Sequence, residues 1–160
     1  MEDLLLWSKT QMNAFDAKLQ NTNIYELIEE SKKLLQLNSD AKKLHFHIDI
    51  PDSLYILTDP NFLQTIIRNL LQNAIKASPD NSLIKIKSAQ INNETILSIE
   101  NTGGVFTQND YEKTINDNAS NQSLNGLGLK LVDELSRKIN IKIHFESGVN
   151  STIAQIIFKN

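Results

Sequence analysis

Nine residues near the middle of the chain decide how the sequence is interpreted: Arg68-Asn69-Leu70-Leu71-Gln72-Asn73-Ala74-Ile75-Lys76. They belong to a helix predicted over residues 59–77, which begins at the cap Asp59-Pro60 and stops before a second proline. At 100° per residue, Asn69, Asn73 and Lys76 form one polar stripe beside the apolar sector that would face a sheet. An amide oxygen suits Mg²⁺ and an ammonium suits a phosphate, so the stripe is a candidate nucleotide site. The alternative is a solvated helix face, since a chain with nineteen Asn contains such pairs by chance.

Around this helix, pairs of strands alternate with single helices. Alternating or apolar runs predict strands at 44–50, 54–57, 82–89, 95–100, 141–146 and 152–158. Further helices are predicted to start at Asn23 and after Gly128, with a polar loop over 105–125 that contains a candidate short helix around Asp110–Ile115. This order predicts an α+β two-layer sandwich, a mixed sheet with helices on one face, rather than a doubly wound parallel sheet.

Composition limits the class of protein. The 160 residues suffice for one domain with its own core, and the absence of Cys excludes disulfides, thiol nucleophiles and cysteine zinc sites. A net charge of −3 argues against nucleic acid as a partner. No apolar run is long enough to span a bilayer and no signal peptide opens the sequence, so we expect a cytoplasmic domain.

Three further segments occur in a recognisable order with the central stretch: Leu4-Leu5-Leu6-Trp7-Ser8-Lys9-Thr10-Gln11-Met12, Glu100-Asn101-Thr102-Gly103-Gly104 and Asn125-Gly126-Leu127-Gly128-Leu129. Together with the stretch 68–76, which resembles an N box, the last two resemble the two glycine boxes of bacterial two-component sensor histidine kinases. The first resembles the end of the second dimerisation helix of those kinases. The resemblance implies the Bergerat (GHKL) ATP-binding fold, with residues 1–20 as the end of the dimerisation helix and 21–160 as the ATP-binding catalytic domain.

The resemblance also implies roles for individual residues. Asn73 would be the Mg²⁺ ligand, and Asn69 and Lys76 would support the phosphates of ATP. Glycines at 126 and 128 would let the backbone approach the phosphates, and a helix beginning near Leu129 would present its N-terminal amides. The full set of implied nucleotide-binding residues is Asn69, Asn73, Lys76, Asn101, Gly103, Gly126, Leu127, Gly128, Leu129 and Thr152.

Asn69 separates two kinds of reaction. In hydrolysing relatives this position is typically a Glu that activates water, whereas an amide cannot act as a base at neutral pH. The resemblance therefore implies transfer of the γ-phosphoryl group to a histidine on a dimerisation domain outside this chain, and then relay to a response regulator. His45, His47 and His144 do not match that acceptor, and no residue of this chain is predicted to be catalytic.

The first glycine box departs from the family pattern of Asp, Gly and Gly at alternate positions. One register places Asn101, Gly103 and Val105 at these three positions, and the other places Glu100, Thr102 and Gly104 there. We prefer the first, because Asn keeps an acceptor oxygen at the same distance from the backbone as Asp, whereas the Glu side chain is one methylene longer. The second box has Leu124 in place of its first glycine. These departures keep open an alternative, a degenerate module of the same fold with little or no kinase activity. An ATP hydrolase is a third hypothesis.

The segment 1–20 is predicted to be a helix with a heptad seam formed by Leu5, Met12 and Leu19, with Phe15 beside it. Such a seam favours a homodimer through this helix. An ordinary amphipathic helix that packs on its own domain fits the pattern equally well.

Overall fold

The computed structural model describes residues 16–117 and 124–159. The elements in these ranges are, in chain order, β1 (Gln20–Asn23), α1 (Ile24–Leu34), α2 (Gln36–Ala41), β2 (His45–Asp49), β3 (Tyr55–Thr58), α3 (Pro60–Ala77), β4 (Leu83–Ile91), β5 (Glu94–Thr102), α4 (Gln108–Asn116), α5 (Leu124–Lys138), β6 (Lys142–Ser147) and β7 (Ser151–Lys159).

Five strands form one mixed sheet in the order β2-β4-β5-β7-β6. Strand β2 pairs parallel to β4, and the remaining pairs are antiparallel. Strands β1 and β3 form a separate antiparallel ribbon, with Gln20 opposite Thr58 and Asn23 opposite Tyr55. The mixed sheet confirms the predicted α+β class and excludes a doubly wound parallel sheet.

The sheet buries one face. Along β5, buried Leu97 and Ile99 alternate with the half-exposed side chains of Ile96 and Ser98, as the two-residue period of a strand requires. Helix α3 packs against β5 and α5 against β6, and the two helices contact each other. Their apolar side chains join those of the strands in one core. The prediction of a two-layer sandwich with helices on one face is therefore confirmed.

Helix α3 begins where the sequence predicts. The carboxylate of Asp59 accepts hydrogen bonds from the backbone amides of Asn61 and Phe62 at 2.9 and 3.0 Å, and Pro60 occupies the first helical position. The same carboxylate accepts a bond from the amide of Lys18 at 2.8 Å. The first described residues of the chain are thereby held against the start of α3.

The predicted N-terminal helix is wrong over its described part. Residues 1–15, with three of the four seam positions, lie outside the described residues, but 16–19 are not helical and Gln20–Asn23 is strand β1. Pairing with β3 decides this conformation, because the ladder supplies backbone hydrogen bonds that a frayed helix end would lack. Leu19 is 58% exposed beside this ribbon and cannot complete a helical seam. No helix in the described part of the chain is long and apolar enough to cross a bilayer.

Candidate functional site

A cavity of about 280 Å³ lies between the second half of α3, the inner faces of β5 and β7, and α5. This volume is close to the lower end of the range for small-molecule sites, roughly 300–1,000 Å³. The lining is mainly apolar and comprises Leu70, Ala74, Ala77, Ile99, Phe106, Leu129, Phe145 and Ala154. Four polar side chains converge on it: Asn73, Lys76, Asn101 and Thr152.

Five of the ten predicted site residues line this cavity: Asn73, Lys76, Asn101, Leu129 and Thr152. The first two come from α3, one turn apart, and the others come from β5, α5 and β7. The other five predicted residues are not on the lining: Asn69, Gly103, Gly126, Leu127 and Gly128. The structure therefore brings four of the five predicted polar side chains together with Leu129, and it places all three predicted glycines elsewhere.

Asn101 is buried at the end of β5, with 4% of its surface exposed. Its Nδ2 donates a hydrogen bond to the carbonyl oxygen of Thr102 at 3.1 Å. Rotating the amide by 180° would set two oxygens against each other, so this contact fixes its orientation. In this orientation Asn101 Oδ1 is an acceptor, and Nδ2 has a second N–H beside the one that it donates to Thr102.

The hydroxyl of Thr152 holds the loop that follows β5. Its Oγ1 accepts a hydrogen bond from the amide of Phe106 at 2.8 Å and donates one to the carbonyl oxygen of Gly104 at 3.0 Å. The ring of Phe106 meets that of Phe145 edge to face, with centroids 5.0 Å apart. Thr152 thus shapes the cavity mainly by fixing the aromatic wall.

Gly103 is required by its surroundings. Its φ is +91°, and an added Cβ would lie 2.4 Å from Cδ of Pro79 and 2.9 Å from the carbonyl oxygen of Ala77. A Cβ on Gly104 would meet its nearest atom at an ordinary 3.5 Å. Val105 is 51% exposed, and its side chain needs no space in the interior. The need for glycine falls on Gly103, which favours the register Asn101, Gly103, Val105.

Asn69 lies between two helices. It is 7% exposed, and its Nδ2 donates to the carbonyl oxygen of Thr65 at 2.8 Å. A Cβ on Gly128 of α5 would come within 2.8 Å of Asn69 Oδ1. Glycine at 128 therefore gives the amide of Asn69 the space it occupies against α5.

The expected helix start near Leu129 is wrong, because α5 begins at Leu124. Gly126, Leu127 and Gly128 lie within its first turns. Glycine is the poorest helix former after proline, so the sequence predicts that the helix begins after these residues. The close approach of Gly128 to Asn69 gives a reason for glycine at this helical position. Residues 118–123 of the predicted polar loop are outside the described ranges.

Sequence reasoning missed the aromatic wall. Phe145 was assigned to a strand and Phe106 to the loop, and neither was predicted to contact a ligand. The alternation in β6, which turns Ile143 and Phe145 to the core, was a usable signal for one of them. Behind Phe145 lies Tyr111 of α4, whose ring centroid is also 5.0 Å away.

Comparison with known proteins gives one family. A family model described as "Histidine kinase-, DNA gyrase B-, and HSP90-like ATPase" matches residues 58–159, more than half of the chain. The chain is 26% identical over 142 residues to the sensor histidine kinase GraS of Staphylococcus haemolyticus, covering 84% of this chain and 40% of GraS. It is 29% identical over 138 residues to the heme sensor protein HssS of Staphylococcus epidermidis, covering 84% and 30%. The chain thus spans less than half the length of these relatives.

Solved structures agree on the fold. The histidine kinase AdeS of Acinetobacter baumannii superposes with a TM-score of 0.80 at 22% identity, covering 99% of this chain and 75% of that one. The catalytic domain of the histidine kinase ThkA gives 0.77 at 23% identity, covering 89% and 95%. ThkA in complex with the response regulator protein TrrA gives 0.77 at 22% identity, covering 98% and 47%.

Proposed function

Because this chain belongs to the family of histidine kinase-, DNA gyrase B- and HSP90-like ATPases, we propose that it is the ATP-binding catalytic domain of a sensor histidine kinase. It binds Mg²⁺–ATP and transfers the γ-phosphoryl group to a histidine on a dimerisation domain outside residues 21–160. The convergence of Asn73, Lys76 and Asn101 on one largely apolar cavity carries this proposal. The reaction takes place in the cytoplasm, where ATP is available, whether or not a parent protein is anchored in a membrane.

The apolar end of the cavity receives the adenine. Ile99, Leu129 and Phe106 supply flat or aliphatic surface for a base, and Asn101 Oδ1 accepts a hydrogen bond from its exocyclic amine. A neutral acceptor binds an amine less strongly than a carboxylate does. Thr152 supports this end by holding Phe106 in the wall.

The second half of α3 serves the phosphates. Lys76 supplies positive charge, and the half-buried amide of Asn73 supplies one oxygen ligand for Mg²⁺. Among the described residues no group of three or more His, Cys, Asp and Glu could hold a metal ion. This donor set fits Mg²⁺, which keeps several waters and shares few protein ligands with the phosphates of a substrate. Mg²⁺ bound there neutralises charge on the triphosphate.

The remaining predicted residues act through backbone groups or by holding neighbouring elements in place. Gly126 and Leu127 belong to the first turn of α5, at the positive end of the helix dipole, which favours negative charge. Asn69 and Gly128 support the phosphate end by fixing α5 against α3. Gly103 allows the close contact between the end of α3 and the loop after β5.

Transfer fits this site better than hydrolysis. None of the described residues that line the cavity carries a carboxylate or an imidazole, so this part of the lining offers no base to activate water. Asn69, at the position of that base in hydrolysing relatives, bears an amide. The acceptor histidine and the response regulator are therefore the proposed partners, in line with the ThkA complex.

Calorimetry with a non-hydrolysable ATP analogue tests the proposal. We expect binding that depends on Mg²⁺ and that the change Asn73→Ala weakens by about tenfold, the effect of about 1.4 kcal/mol. Gln72→Ala, at the exposed neighbouring position, is the matched control and leaves the affinity unchanged. An unmodified chain that gives no heat at millimolar analogue would contradict the proposal. Steady phosphate release that disappears in Asn73→Ala would instead indicate a hydrolase.

A degenerate module is the second candidate, favoured by the neutral Asn101 and by exposed Val105 in place of a glycine. The substitution Asn101→Asp distinguishes the two. In a working site it tightens ATP binding by at most about fivefold, because the gain from a charged acceptor is opposed by loss of the hydrogen bond from Nδ2 to Thr102. Asn109→Asp, which adds the same charge on the exposed side of α4, has no such effect. An affinity that does not respond to Asn101→Asp would favour the degenerate module.

A further inference from the structure

Lys42 holds the end of the helix that carries Asn73 and Lys76. It lies in the turn between α2 and β2, and its Nζ donates hydrogen bonds to three carbonyl oxygens. The acceptors are those of Ile75 at 2.9 Å, Lys76 at 2.9 Å and Ser78 at 2.8 Å. An ammonium has three donors, so this one is fully used. Lys42 does not line the cavity.

These carbonyls need such a partner. The last four carbonyl groups of a helix lack intrahelical donors and carry the negative end of its dipole. In α3, the carbonyl of Ala74 is served by the amide and hydroxyl of Ser78, at 3.1 and 2.7 Å. Lys42 Nζ donates to the next two carbonyls, those of Ile75 and Lys76, and also to the carbonyl of Ser78 beyond the helix. The ammonium thus joins the last turn of α3 to the segment that follows it.

Backbone hydrogen bonds fix the turn that carries Lys42. The amide of Leu44 donates to the carbonyl of Ser39, and Lys43 adopts a left-handed φ of 55°. The amide of Asn81 donates to the carbonyl of Lys42 at 2.9 Å. Backbone and side chain of Lys42 therefore both hold residues 75–81.

The other side of the same segment contacts the site. Lys76 and Ala77 line the cavity, and the carbonyl of Ala77 and the ring of Pro79 leave no space for a side chain at Gly103. Gly103 lies two residues after Asn101. The end of α3 therefore stands between Lys42 on one side and the cavity on the other.

We propose that Lys42 is a positioning residue of the nucleotide site, which acts on the phosphates through Lys76. Lys42 holds the peptide groups of the last turn of α3, and it thereby fixes the position of the Lys76 backbone from which that side chain extends. This inference rests on the proposed function, since it assigns Lys76 to the phosphates. Lys42 itself makes no contact with the nucleotide.

The test uses calorimetry to measure the Kd of Mg²⁺–ATP and the Kd of adenosine for the unmodified chain and for Lys42→Met. We expect the Kd for Mg²⁺–ATP to rise about fivefold and the Kd for adenosine to stay within about twofold, because only ATP reaches Lys76. Lys43→Met, at the exposed neighbouring position, is the matched control and changes neither constant. Lys42→Arg keeps the charge and several donors and restores much of the ATP affinity.

A double-mutant cycle shows whether Lys42 acts through Lys76. In the Lys76→Met background, Lys42→Met then adds nothing to the loss of ATP affinity. Should Lys42→Met fail to fold, Lys42→Gln, which keeps two donors without the charge, replaces it in the same cycle. Equal losses for ATP and adenosine, additive effects of the two changes, or a lower melting temperature with an unchanged ATP Kd would each overturn the inference. If the unmodified chain binds no ATP, the proposed function fails and the inference fails with it.

Discussion

At the scale of single residues, Tyr111 shows that packing can outweigh hydrogen bonding. Its side chain is 3% exposed and its ring packs on Phe145, but its hydroxyl has no hydrogen-bond partner among the described residues. Burial raises the pKa of Tyr111, and the nearby carboxylate of Asp133 raises it further. Burial also raises the pKa of Asp133, which Arg137 opposes from 2.7 Å. The hydroxyl is thus a destabilising group held in place by its ring.

Tyr111→Phe should therefore stabilise the domain by about 1 kcal/mol at neutral pH, because a buried unsatisfied polar group is removed. The folded pKa of Tyr111 is above the unfolded one, so the stability linked to its protonation is complete below about pH 10 and is lost as the pH rises further. Urea denaturation at neutral pH and above pH 10 measures both effects. Tyr55→Phe, at a tyrosine that is 53% exposed, is the control. A variant less stable than the parent at neutral pH would contradict the prediction.

At the scale of elements, the junction between β5 and the following loop depends on one glycine of an adjacent pair. Gly103 has a left-handed φ and meets Ala77 and Pro79, whereas Gly104 has ordinary space around it. The amide of Gly103 also donates to the carbonyl of Asn150 at 3.0 Å, which ties the junction to the residue before β7. The two adjacent glycines therefore differ in whether their surroundings leave space for a side chain.

We expect Gly103→Ala to lower the free energy of unfolding by about 3 kcal/mol, the sum of the left-handed conformation and the clash. Gly104→Ala should change it by no more than about 0.5 kcal/mol. Chemical denaturation of the two variants side by side checks this. Equal effects of the two substitutions would mean that the backbone at 103 relaxes without loss.

Elements with local signals were predictable, and those that depend on distant partners were not. Helix α3 has its acidic cap, proline and stop within its own sequence, and its predicted bounds are confirmed. Strand β1 forms because it pairs with Tyr55–Thr58, and no pattern within 20–23 encodes that partner. Gly128 of α5 packs closely on Asn69 of another helix, a contact that no pattern within residues 124–128 encodes.

At the scale of the whole molecule, the cavity combines side chains from α3, β5, β6, β7, α5 and the loop after β5. Motif order was sufficient to assemble its polar members, because each motif is a short run with recognisable residue types. The aromatic wall was not predictable in this way, since Phe106 and Phe145 reach the cavity only after the sheet and the loop have packed.

Self-association is the prediction at this scale. If residues 1–15 provide a heptad seam, the chain sediments as a dimer, and Leu5→Ser combined with Met12→Ser makes it a monomer. Leu19→Ser serves as the control and leaves the dimer intact, because Leu19 lies beside the β1–β3 ribbon and outside any described helix. A parent chain that is monomeric at high concentration would remove the support for a seam.

The position of β7 has a consequence for how the domain folds. This strand lies between β5 and β6 although it follows all other described strands in the chain, and it supplies the hydroxyl that holds the loop at Phe106. Contacts between residues nearly fifty positions apart must close before that wall exists, and such non-local contacts slow folding. During synthesis the earlier helices and strands leave the ribosome first. We therefore expect ATP to bind only after β7 has paired with β5 and β6. Its binding then stabilises the completed sheet and does not speed the earlier steps of folding.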